Sequence, residues 1–145
     1  MDIEIKPYKT KHFFRFLVRL VNWKTLKYAG VFKRNVIKNI FKQKRKVQKF
    51  VIIKDGVVVG GTSLHKVSEG VFNIGCIIFK KHRNKGIGKK AVEKMIKYAK
   101  KKGAKKIVAG MYKNNASSIN IVKKLGYKKV RETEREIYWE KKLKC

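Results

Sequence analysis

Proline is almost missing from this chain: Pro7 is the single one in 145 residues. There is no stretch rich in serine, glycine or proline that would serve as a linker. The length suits one ordinary domain with a sizeable core, so one domain over 1–145 is expected. Cysteine is scarce too. Cys76 and Cys145 show no metal-ligand spacing, which argues against a disulfide scaffold or a zinc site and favours reduced thiols in a cytoplasm. Long apolar runs are missing. The longest, around Val51–Ile53, Val57–Val59 and Cys76–Phe79, are far too short to span a membrane. Met1 to Lys11 alternates charged and apolar residues and lacks the apolar core of a secretion signal, so neither membrane nor export is expected.

Acid is the strongest deficit. Nine Asp plus Glu stand against 40 Lys plus Arg, a net charge of +31. Such an excess implies an anionic partner or a general affinity for polyanions. The cations are 33 Lys and only seven Arg. Lysine is a hydrated point charge, whereas arginine is the fork that reads bases and phosphates. Electrostatic attraction is therefore expected in preference to sequence reading.

What is present is a patterned globular chain, 43% hydrophobic. Residues 2–6 alternate as a short strand. Over 9–23, Phe13, Phe16, Leu17, Leu20 and Val21 form one helical stripe, and Phe32, Val36, Ile37, Ile40 and Phe41 form a second. Phe50 to Lys54 reads as a strand, Asp55-Gly56 as a hairpin turn, and Val57 to Lys66 as the returning strand. Ser68-Glu69-Gly70 turns the chain into Val71 to Phe79. A helix follows from Gly88, with Ala91, Val92, Met95, Ile96 and Ala99 on one face and Gly103 as its stop. Ile107 to Tyr112 is a strand. Asn114-Asn115 opens a helix that buries Ile119, Val122 and Leu125 and stops at Gly126. Tyr127 to Val130 and Ile137 to Leu143 close the chain as strands. The order βααβββαβαββ describes an α+β domain around a mostly antiparallel sheet.

Between the meander and the next helix lies Arg83-Asn84-Lys85-Gly86-Ile87-Gly88. Gly86 and Gly88 lack Cβ, so backbone can approach an oxyanion closely. Free N–H groups and the dipole at the helix start favour negative charge, and Arg83, Lys85 and Lys89 add full charges. A pyrophosphate fits such a place. No Gly-Lys-Ser/Thr run exists, which excludes a P-loop. Gly86-x-Gly88-x-x-Ala91 matches the dinucleotide fingerprint formally. Yet Lys105 to Lys113 has no acid for a ribose, and the motif follows an antiparallel meander, so that reading is rejected.

The loop resembles the Gln/Arg-x-x-Gly-x-Gly/Ala pyrophosphate loop of the GNAT N-acetyltransferase family. Asn115 to Tyr127 (NASSINIVKKLGY) is similar to that family's Asn-x-x-Ala-Ile-x-Leu-Tyr-Glu-Lys-Leu-Gly-Phe stretch. The resemblance is specific over 71–130 and looser outside it. It implies the GNAT fold, a central, mostly antiparallel twisted sheet flanked by helices, with acetyl-CoA as co-substrate. Backbone of Cys76, Ile77 and Ile78 would pair with pantetheine. The amides of Asn84, Lys85, Gly86, Ile87, Gly88 and Lys89, with the Arg83 charge beside them, would hold the pyrophosphate. The Asn115 side chain would bond the pantetheine end, or merely cap its helix.

The resemblance breaks where proton transfer is needed. Many members place a tyrosine where this chain has Val122, and members that acetylate protein N-termini often place a glutamate where it has Gly110. Glu69 in a hairpin turn, Glu132, Glu134, Glu136 and Glu140 near the last hairpin, and Tyr112, Tyr127, Tyr138, His65 and His82 are thin substitutes, and no catalytic residue is assigned. The expected function is acetyl transfer to a primary amine in a ternary complex. The alternative is a GNAT-fold binding protein, associated with RNA or ribosomes, that has lost the usual acid and base. Coenzyme A carries too few charges to account for +31, so an acidic macromolecular acceptor or nonspecific nucleic-acid binding is expected besides. Labelled RNA or duplex DNA should bind at low salt with little sequence preference. On duplex DNA, log affinity should fall with log salt at a slope of about −0.9 per neutralised phosphate. Absence of binding at low salt, or tight binding that ignores salt, contradicts this.

Overall fold

The computed structural model describes residues 2–9 and 47–144. The two helices expected over 9–23 and around Phe32–Phe41 lie outside the described residues. Seven strands form one sheet: β1 (Glu4–Pro7), β2 (Val47–Lys54), β3 (Val57–Ser68), β4 (Val71–Ile78), β5 (Lys106–Tyr112), β6 (Lys128–Glu132) and β7 (Glu136–Lys142). Two helices are described, α1 (Ile87–Lys101) and α2 (Ala116–Lys124), with a short 3-10 turn at Lys80–His82. The sheet order is β1-β2-β3-β4-β5-β7-β6. The expected elements all appear within the described residues, with ends moved by a few positions; β2, for example, begins at Val47, three residues before Phe50.

Every pairing is antiparallel except β4 with β5. The exception follows from connectivity, because a helix between two strands of one sheet returns the chain in the same direction. The β2–β3 turn runs through Asp55 at φ 50 and Gly56 at φ 73, the left-handed pair that a tight hairpin demands.

α1 lays Ile87, Ala91, Val92, Met95 and Ala99 against β3 and β4. Val92, Met95 and Ala99 meet Leu64, Phe72, Ile74, Ile107, Val122, Tyr127 and Trp139 in the main core, while Ile87 and Ala91 join Ile3, Ile52 and Val59 in a second cluster. Val51, Val58 and Phe79 form a separate buried cluster. Along β5, Ile107, Ala109 and Met111 belong to the main core, so Val108, Gly110 and Tyr112 present themselves on the opposite face.

The pairing lengths differ sharply on the two edges of β4. β3 accompanies it from Val71 to Ile78. β5 pairs with it only at Val71, Phe72 and Asn73, opposite Lys106, Ile107 and Val108. The Asn73 side-chain amide donates to the Val108 carbonyl at 3.1 Å and marks the last joined point. Beyond it the strands part. β5 stays paired with β7 from Lys106 to Tyr112, so the sheet divides into two halves with a cleft between them.

β3 holds its side of the cleft rigidly. A Cβ on Gly60 would drive into the Ile77 carbonyl oxygen, a backbone atom that cannot swing away. Gly60→Ala should therefore destabilise the fold by roughly 1–3 kcal/mol, the usual cost of overpacking. Denaturant melts check this. An unchanged midpoint would mean that β4 can shift freely against β3.

Candidate functional site

The parted strands leave Ile74 to Ile78 on one side, and Ala109 to Tyr112 on the other, with backbone edges that no strand among the described residues covers. Unpaired N–H and C=O groups of this kind are a template for a ligand that pairs as an extra strand would. Cys76, Ile77 and Ile78 are the last three residues of that β4 edge. Cys76 and Ile78 pack their half-buried side chains against the cluster that holds Ile87 and Ala91. Burial pushes the Cys76 thiol up to about 12, so it stays protonated near neutral pH.

At the end of β4 the chain makes its 3-10 turn and then passes through two left-handed residues, Asn84 at φ 60 and Gly86 at φ 76. They flank Lys85 and swing the backbone so that α1 starts at the cleft mouth. Gly86 is the N-cap, and no side chain caps the helix. The Lys90 amide makes the first helical bond, to the Gly86 carbonyl. The amides of Ile87, Gly88 and Lys89 thus precede any intrahelical acceptor. The first turn contains no acid. Oriented N–H groups, a helix dipole and nearby lysines make this end attractive to an anion.

Each residue of the loop has its place. The Ile87 side chain is 1% exposed and anchors the helix in the core, leaving only its backbone at the site. Gly88 is buried, and a Cβ there would sit 3.1 Å from Ile121 Cδ1 and 3.5 Å from Ile78 Cγ1. Its bareness lets α1, α2 and β4 converge. Lys85 is exposed, while Lys89 lies 3.6 Å from Glu93 in a half-exposed pair of small energetic weight. Arg83, expected as a full charge beside the loop, is also tied to the strand before it. Its Nε donates to the Ile78 carbonyl at 2.9 Å, so the guanidinium fastens the end of β4.

Asn115 is the N-cap of α2, and its Oδ1 accepts from the Ser118 amide at 3.2 Å. Val122 is 6% exposed inside the main core, so a tyrosine at that position would need the core to repack. Tyr127 packs in the same core, where burial raises its phenol pKa. His65 lies on β3 and His82 in the 3-10 turn beside the loop. Among the described residues no group of three or more His, Cys, Asp or Glu could hold a metal, and no helix is long and apolar enough to cross a membrane.

Two features escaped the sequence. One is the length of the β4–β5 pairing, since local pattern marks strands but not where partners separate. The other is that two of the thin candidates, Glu136 and Tyr138, form a pair on β7, in which Tyr138 Oη donates to Glu136 Oε2 at 2.7 Å. Alternation along β7 was the only available signal, because it puts residues 136 and 138 on one face.

A family model described as an acetyltransferase (GNAT) domain matches residues 6–128. A domain from Methanocaldococcus jannaschii superposes with a TM-score of 0.83 at 22% identity, covering 98% of this chain and 99% of that one. The spermidine N-acetyltransferase of Vibrio cholerae, solved with CoA and spermine, gives 0.81 at 11% identity, covering 97% of this chain and 95% of that one. The PaiA N-acetyltransferase of Thermoplasma acidophilum, solved with coenzyme A, gives 0.77 at 17% identity, covering 99% and 100%. At these identities the likeness is one of fold.

The cap bond separates two roles for Asn115. Asn115→Ala should cost about 1 kcal/mol of stability through the lost cap. Asn115→Asp keeps a capping oxygen and should restore that stability. If the side-chain amide also serves a cofactor, acetyl-CoA affinity stays low in Asn115→Asp, and calorimetric titration reads this directly. Affinity restored along with stability would mark the residue as a cap alone.

Proposed function

This chain belongs to the acetyltransferase (GNAT) family, and we propose that it transfers the acetyl group of acetyl-CoA to a primary amine by direct attack in a ternary complex. The family uses acetyl-CoA as co-substrate, and the residues present fit it. The observation that carries the reading is the cleft between β4 and β5, which opens at an uncapped helix start with left-handed Gly86. Amides of Asn84 to Lys89 would hold the pyrophosphate, with Lys85 and Lys89 screening its charge. The free edge of Cys76, Ile77 and Ile78 would orient the pantetheine arm in the manner of an added strand. Once bound, acetyl-CoA supplies an activated acyl carbon to the acceptor.

The chain's own part is positioning and electrostatics. Backbone N–H groups on the uncovered β4 edge near Ile78 would stabilise negative charge on the carbonyl oxygen as the amine attacks. Direct transfer is favoured over an acyl-enzyme at Cys76. That thiol, pushed up to about 12, is held away from the nucleophilic thiolate form.

The surplus charge gives the proposal its second component. Lys90, Lys97 and Lys101 recur at helical spacing on α1 and are exposed, as are Lys81, Lys85, Lys100 and Lys102. This face would attract an acidic acceptor or a nucleic acid to the mouth of the cleft by long-range steering, with strong salt dependence.

Acetyl-CoA should raise the melting temperature with concentration, because it binds the native state alone. ATP and heparin control for bare polyanion effects, and acetyl-CoA performing no better than ATP would contradict the assignment. Gly86→Val puts a branched side chain at φ 76. A cost of about 1–3 kcal/mol from backbone strain is expected, with loss of acetyl-CoA affinity in the protein that remains folded. Retained affinity would mean the loop is ordinary turn structure.

A further inference from the structure

With nine carboxylates among 40 cationic side chains, a carboxylate that has no cation beside it stands out. Glu93, Glu136 and Glu140 are the partly buried ones. Glu93 has Lys89 at 3.6 Å, and Glu140 has Lys106 at 3.3 Å. Glu136 has a phenol instead, Tyr138 Oη at 2.7 Å. Among the described residues no lysine or arginine nitrogen lies within 4.0 Å of Glu136. The neighbouring cation is diverted to the ring, where Arg131 Cζ sits 4.3 Å from the Tyr138 centroid.

The pair is placed beside the cleft. Tyr138 is directly opposite Gly110, and Glu136 opposite Tyr112, on the stretch of β5 whose other edge is uncovered. The Tyr138 ring leans across β5: its Cε1 and Cδ1 lie 3.2 and 3.3 Å from where a Gly110 Cβ would be. Only glycine leaves that space. All of this is on the face of β5 turned away from the main core.

We propose that Glu136, oriented by Tyr138, is the proton acceptor for the attacking amine, supplied from β7 across a β5 that carries only hydrogen at position 110. The inference rests on the acetyl-transfer reading. The amine nitrogen forms a bond to the acetyl carbon and the carbon–sulfur bond breaks. Glu136 takes the proton that nitrogen loses and passes it to water. Coenzyme A leaves as thiolate and gains its proton from water, so atoms and charge balance. Tyr138 is a positioning residue: its hydrogen bond and the Arg131 contact fix the carboxylate's direction, and Glu136 keeps its second oxygen for the amine.

The test follows coenzyme A release from acetyl-CoA with a polyamine, a lysine-containing peptide and a peptide with a free N-terminus. Acetyl-CoA affinity and melting temperature are measured in parallel. Glu136→Gln should lower kcat by about 10²-fold or more, the usual contribution of a positioned base, with acetyl-CoA affinity unchanged. Glu136→Asp should recover part of the loss. Tyr138→Phe should lose less kcat than Glu136→Gln and leave the KM for acetyl-CoA unchanged. Wild-type kcat in Glu136→Gln overturns the assignment and leaves acetyl transfer standing. A deficit that tracks lost melting temperature and is unrelieved in Glu136→Asp also overturns it. A wild-type protein that binds acetyl-CoA and acetylates none of these amines overturns the transfer reading, and this inference with it.

Discussion

β4 has one bound edge and one released edge, and the site depends on that asymmetry. β3 pairs along its whole length and fits so closely that Gly60 has no room for a methyl group. β5 leaves after Asn73. An uncovered strand edge is ordinarily a liability, because its polar backbone must find partners. Here the edge ends beside a helix start whose amides also precede their acceptors. Apart from the Ile78 carbonyl, which Arg83 binds, backbone groups of that edge thus meet the helix-start amides at one opening, which suits a ligand with both an amide chain and an anionic head.

Most of the fold in the described residues was legible because each element carried its own signal. Asp55-Gly56 specified a hairpin, the apolar stripe from Val92 to Ala99 specified a helix face, and Gly103 and Gly126 ended helices at φ 94 and φ 79. The loop from Arg83 to Gly88 was legible from two glycines among cations. Its geometry was only partly so. Arg83 belongs to the type that binds anions, yet a nearby carbonyl at Ile78 claims its Nε. Asn115 carried two readings that composition could not separate, and the structure establishes that it caps α2. The divergence of β4 from β5 was not legible at all. It is a long-range property of two strands separated by a helix, and no local period encodes where their pairing stops.

The electrostatics are similarly uneven. Glu132 is held far below the usual carboxylate range, at about 2, chiefly by hydrogen bonds from Lys113 and Lys129. Most other acids are likewise matched by a lysine. Scarce acid in a basic chain thus mainly neutralises neighbouring lysines. The Glu136–Tyr138 pair departs from that pattern, and its neighbour Arg131 lies over an aromatic face.

The short ladder at the foot of the cleft has a thermal consequence. Among the described residues the ladder joining the two halves of the sheet is short, Val71–Asn73 with Lys106–Val108, extended by the Lys105 and Lys106 amides on the Gly70 carbonyl and reinforced by the Asn73 amide. What holds the halves together beneath the opening is apolar contact, Phe72 and Ile74 with Ile107, Val122 and Trp139. The molecule resembles a book with hydrogen-bonded covers and an oily spine. Hydrophobic association weakens on cooling, whereas each cover keeps its own ladders. Cold therefore loosens the spine before the covers, and the angle of the cleft is the coordinate that softens first.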